Sequence, residues 1–166
     1  RSQASVGVIE ALLTYFPDAL MSMDKLSRTP LHYAISNNSD REVVELLIDY
    51  NGESVKKKDH RGWLPLHVAS GAATPPETIK LLIEAFPKSI YVVTKKGSTP
   101  CIIADAYYKG VSPQDRKDVL ALLTPPKTAG VDSKNGSVDN AVEVKNKPPH
   151  TPTSLDPEIS ALAGVV

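Results

Sequence analysis

Arg28-Thr29-Pro30-Leu31-His32-Tyr33-Ala34 returns 35 residues later as Trp63-Leu64-Pro65-Leu66-His67-Val68-Ala69, and after another 35 as Ser98-Thr99-Pro100-Cys101-Ile102-Ile103-Ala104. Working outward, two more series keep the same spacing. Ala11-Leu12-Leu13, Leu46-Leu47-Ile48 and Leu81-Leu82-Ile83 form one; Phe16-Pro17, Asn51-Gly52 and Phe86-Pro87 form the other. Three coincident series at one period establish an internal repeat.

Each unit has a local physical reading. Thr29 and Thr99 are expected to cap a short helix whose first position is the proline that follows, where the missing N–H costs nothing. Leu31 and Ala34, like Leu66 and Ala69, then share one helical face. A second helix is expected to open with a capping box, pairing Ser39 with Glu42, Thr74 with Glu77, and Ser112 with Asp115. These second helices end at Gly52, or at Pro17 and Pro87, which cannot continue a helix. A short extended stretch and a turn follow, Asp59-His60-Arg61-Gly62 or Thr94-Lys95-Lys96-Gly97, with glycine free to take positive φ.

Helix, helix and projecting hairpin, with T-P-L-H-x-A at its head, resembles the ankyrin repeat over roughly residues 5–124. The resemblance implies an all-α solenoid of stacked helix-turn-helix units with β-hairpin-like fingers. There are departures: the period is 35 rather than the usual ~33, Ser27 stands at the first finger's glycine position, and Cys101-Ile102 replaces Leu-His in the last unit. Three extra residues also precede Ser112. We expect a half-unit over 3–28, full units over 29–63, 64–98 and 99–124, and together a repeat domain over 1–124. The chain opens at Arg1, partway through a unit, and so reads as a fragment. An apolar strip of Val8, Ala11 and Leu12 is expected to be left exposed on the half-unit.

Composition changes at Thr124. Residues 125–166 contain no aromatic residue, are rich in Pro, Ser, Thr, Asn and Gly, and are expected to form a disordered tail. Within it, Thr124-Pro125 and Thr151-Pro152 could be proline-directed phosphorylation sites, and a short amphipathic segment could begin at Asp156. Lys plus Arg equals Asp plus Glu at 19 each, so overall charge points to neither nucleic acid nor membrane. One cysteine excludes an internal disulfide and fits an intracellular setting, cytoplasmic or nuclear.

Catalytic and metal chemistry find little support. His32 and His67 sit at one place in a structural motif, and the resemblance implies that they hydrogen-bond between neighbouring units. His60 and His150 have no ligand spacing around them. Cys101 takes the place of Leu31 and Leu66 and is expected to be a buried apolar side chain with no base beside it. Asp105 and Asp115 to Asp118 read as helix-surface charges. No phosphate loop, dinucleotide fingerprint, nucleophile elbow or HExxH is present, so no enzyme activity, metal or cofactor is expected.

What remains is the surface. The positions that the resemblance assigns to partner contact are Lys25, Leu26 and Arg28 in the first finger and Lys58, His60, Arg61 and Trp63 in the second. Lys95, Lys96 and Ser98 follow in the third, with Asn37 and Tyr107 on the first helices. The fingers are basic, whereas Asp40, Glu42, Glu45, Asp49, Glu53, Glu77 and Glu84 lie on or beside the second helices. Trp63 is expected either to stand open as a binding anchor or to pack flat on its neighbouring finger. The expectation is a monomeric scaffold or adaptor module that binds an acidic or phosphorylated segment of another protein through its concave face. The alternatives are a targeting region of a larger enzyme or channel and, last, nucleic-acid binding, which near-neutral charge and scarce aromatics disfavour.

Overall fold

The structure, a computed structural model, describes residues 6–125. Expectations for the tail beyond Pro125, including His150, Thr151-Pro152 and the segment from Asp156, lie outside those residues. Among the described residues every regular element is helical. The α-helices are α1 (Val6–Tyr15), α2 (Pro30–Ser36), α3 (Arg41–Tyr50), α4 (Pro65–Gly71), α5 (Pro76–Ala85), α6 (Pro100–Tyr107) and α7 (Pro113–Leu123). A single 3-10 turn follows α1, α3 and α5, at Pro17–Met21, Gly52–Lys56 and Pro87–Tyr91.

The helices pack in two layers. α2, α4 and α6 stack side by side as one layer, and α1, α3, α5 and α7 as the other. Each short helix is too small to close its own apolar face, so burial comes from neighbours. Leu31, Leu66, Ala69 and Ala104 of the first layer meet Val44, Leu47, Ile79, Leu82 and Val119 of the second in one continuous core. At the start of the stack the strip of Val8, Ala11 and Leu12 is exposed as expected, and Tyr15 and Phe16 extend it.

Helix starts follow a different chemistry from the one the sequence suggests. None of the three expected capping boxes forms on the second helices. Their N-cap residues are Asp40, Pro75 and Ser112, and none makes a side-chain cap bond. Thr74 instead turns its hydroxyl back to the Ala69 carbonyl. The tight inter-helix turns place Asn38 and Ala73 at positive φ (49° and 51°), which shifts the cap by one residue. A side-chain cap sits on the first helices instead: the Nδ1 of His32 accepts the Thr29 N–H, and the Nδ1 of His67 accepts the Leu64 N–H at 3.0 Å. On α6, where no histidine is present, the Thr99 hydroxyl accepts the Ile102 N–H.

The fingers are three-residue hairpin loops without a strand ladder. Ser27, Gly62 and Gly97 donate their N–H groups to the carbonyls of Asp24, Asp59 and Thr94, each adopting positive φ. The N–H groups of Asp24, Asp59 and Thr94 then bond across the loop to the carbonyls of Arg28, Trp63 and Ser98. Neighbouring fingers are tied by the main chain. The His60 N–H donates to the Leu26 carbonyl (2.9 Å), and the Lys95 N–H to the Arg61 carbonyl (3.0 Å).

Candidate functional site

The row of fingers is braced from behind by the two histidines. With Nδ1 engaged at its own helix start, each ring directs Nε2 forward to the next finger, His32 to the Trp63 carbonyl (3.2 Å) and His67 to the Val92 carbonyl (3.1 Å). Both rings are buried. Desolvation lowers the pKa of both, that of His67 to about 4, so each is neutral near pH 7. A neutral ring accepts at Nδ1 and donates at Nε2, which is the tautomer these partners require.

The second feature is what the finger carboxylates do. The Asp24 Oδ1 accepts the N–H groups of Leu26 and Arg28, both at 2.8 Å, while Oδ2 accepts the Tyr33 hydroxyl. The Asp59 Oδ1 likewise accepts the N–H groups of Arg61 and Trp63, both at 2.8 Å, and Asp59 is buried. The Tyr33 hydroxyl first, then the Arg28 N–H, hold the Asp24 carboxyl below its ordinary pKa. The aspartates are therefore spent on shaping their own turns. Their charge remains, but over 1–124, with 15 basic and 14 acidic residues, Lys25, Lys58, Lys95 and Lys96 make the tips basic by outnumbering them.

The residues singled out from sequence divide into two groups. Lys25, Leu26, Lys58, His60, Lys95 and Lys96 are exposed on the fingers, with the His60 Nδ1 also within 3.2 Å of the Leu26 carbonyl. Arg61 is half-buried between the second and third fingers, its carbonyl bonded to Lys95. Asn37 is exposed at the end of α2.

The other group is partly buried. Arg28 is largely buried, its guanidinium 5.9 Å from the centroid of the Tyr33 ring and its Nε 3.9 Å from Asp59. Trp63 does not stand fully open to solvent. It is half-buried against the end of α4, where a Cβ on Gly71 would lie 3.0 Å from its ring, and its centroid is 6.4 Å from that of His67. Tyr107 and Ser98 are half-buried. Cys101 is also only half-buried, contrary to expectation; its Sγ lies 3.9 Å from the Thr124 hydroxyl.

Two residues went unnoticed in the sequence. Tyr33 joins the first finger through Asp24, and Tyr108, fully buried, donates its hydroxyl to the Thr74 carbonyl, joining the last two units. Burial pushes the Tyr108 phenol up to about 12. Nothing in the repeat points to Tyr108, since it belongs to the three-residue insertion before Ser112. Among the described residues no three His, Cys, Asp or Glu side chains come together as a metal site, and no helix is long and apolar enough to cross a membrane.

In a comparison with known families, the model of ankyrin repeats, in three copies, matches residues 2–95. Among curated proteins no match is found.

Proposed function

Because the chain belongs to the ankyrin repeat family, whose members are generally protein–protein interaction modules, we propose that it holds an acidic or phosphorylated segment of another protein across its finger tips. The observation that carries this reading is that the finger carboxylates accept the N–H groups of their own turns while Lys25, Lys58, His60, Lys95 and Lys96 are exposed on adjacent fingers. The main-chain bonds between fingers and the histidine braces hold these tips in place before a partner arrives, so little ordering entropy opposes binding. Lysines present three donors each and suit carboxylate or phosphate oxygens, and their field speeds encounter with an acidic partner. Leu26, exposed at the first tip, adds an apolar contact at one end of the row. Residues 1–124 act as the binding array in this reading, and no catalytic step is assigned to them.

A peptide array in phosphorylated and unphosphorylated forms tests this. Acidic or phosphorylated peptides are expected to bind, with affinity falling steeply as salt rises. The double variant Lys95→Glu with Lys96→Glu is expected to lose at least tenfold in affinity while its helicity is unchanged. Unchanged binding by that variant would show that the partner sits elsewhere.

A further inference from the structure

The tips of the three fingers differ. The same two positions hold Lys25 and Leu26 in the first finger, His60 and Arg61 in the second, and Lys95 and Lys96 in the third. Leu26 is 38% exposed, and it has an exposed aromatic companion in Tyr33, at 40%. Both are held by one carboxylate: Asp24 accepts the Leu26 N–H on Oδ1 and the Tyr33 hydroxyl on Oδ2. The counterparts of Tyr33 in the next two units, Val68 and Ile103, are buried. The first tip therefore offers an apolar pair without a counterpart on the other two, whereas the third carries two adjacent exposed cations. The entry positions Met23, Lys58 and Val93 are apolar at both ends and give the row no direction.

Main-chain bonding sets the distance between tips. Within a finger the Asp59 N–H bonds to the Trp63 carbonyl, and between fingers the His60 N–H bonds to the Leu26 carbonyl. Successive fingers are thus two hydrogen-bonded chain spacings apart, roughly 10 Å, which puts the first tip about 20 Å from the third. An extended chain advances ~3.3 Å per residue, so about six residues span that gap. Six is a multiple of the strand period of two and of the polyproline II period of three. In either conformation both end side chains point to the same side. A separation of about three residues reaches only the adjacent finger, and in a strand it turns the second side chain away.

We propose that the segment held at the finger tips is extended, with an apolar side chain on Leu26 and Tyr33 and a phosphorylated serine or threonine about six residues away on Lys95 and Lys96. This rests on the finger-tip reading above and narrows it to one charge type and one register. Two neighbouring ammonium groups match the nearly double negative charge of a phosphate better than the single charge of a carboxylate. The apolar pair at one end gives the bound segment a polarity that a uniformly basic row would not.

Peptides with one leucine and one phosphoserine separated by about two to ten residues, made in both chain orders, test this by fluorescence anisotropy on the intact chain. Affinity is expected to peak at a separation of about six and to be about fivefold weaker at three. Glutamate in place of phosphoserine is expected to weaken the best peptide about tenfold. Leu26→Lys, which gives the first tip the charge of the other two, is expected to favour a second phosphoserine over the leucine. Equal affinity at every separation, still lost in Lys95→Glu with Lys96→Glu, would overturn the register and leave the finger-tip reading standing. A glutamate peptide as tight as its phosphoserine twin would overturn the assignment of a phosphate. Binding by none of the series, nor by a peptide carrying phosphoserines alone, would defeat the finger-tip reading itself and this inference with it.

Discussion

A buried histidine with both ring nitrogens engaged is a strut only while it is neutral. His67 has its pKa lowered from 6.5 to about 4, chiefly by burial, and that of His32 is lowered for the same reason. With the folded value below the unfolded one, this stabilisation is complete above pH ~6.5 and is lost as pH falls toward 4. For His67 the span corresponds to about 3 kcal/mol. Urea unfolding between pH 7 and 5 is therefore expected to show falling stability, and His67→Gln should be less stable at pH 7 but have a shallower pH slope. An equal slope would remove His67 from the account. The histidines were legible in the sequence because they recur in register. Trp63 was not, because its placement depends on Gly71, whose lack of a side chain admits the indole ring. Trp63→Ala is accordingly expected to cost about 2 kcal/mol, less than a fully buried aromatic, and to lower the melting temperature. Unchanged melting would mean that the ring does not pack on α4.

At the scale of elements, the finger is the unit whose sequence and structure agree most closely. Its aspartate, its positive-φ residue and its basic tip could all be read from Asp59-His60-Arg61-Gly62. Two constraints meet at Gly62, a φ of 76° and the Lys95 nitrogen 3.1 Å from where a Cβ would stand. Gly62→Ala is expected to destabilise the array by about 2 kcal/mol, combining backbone strain with displacement of the third finger, as measured by denaturant midpoint. A change below 0.5 kcal/mol would mean that the fingers are not tied together. Ser27 occupies the same conformation (φ 57°) without glycine's freedom. The second helices were less legible at their starts. Ser39, Thr74 and Ser112 have the residue types of a capping box, but Asn38 and Ala73 in left-handed conformations carry the chain into α3 and α5 one residue later. Local motif spacing cannot register that displacement, because it is set by how the two helices of a unit close on each other.

For the whole molecule, the repeat period dictates a stack, and the stack converts a neutral composition into a polarised surface. The charge separation between fingers and second helices was visible in sequence. That the finger aspartates accept the main-chain hydrogen bonds of their own turns was not. The two ends of the array differ from its middle in a way that also follows from stacking, with Val8 and Leu12 exposed at one end and Ile102 at the other. The most direct test of the central claim is to saturate the chain with the tightest acidic or phosphorylated peptide from the array and map amide shifts by NMR. The account predicts that the largest shifts fall on Lys25, Leu26, His60, Arg61, Lys95 and Lys96. Shifts concentrated on the acidic side of α3 and α5, with the finger tips unmoved, would contradict it.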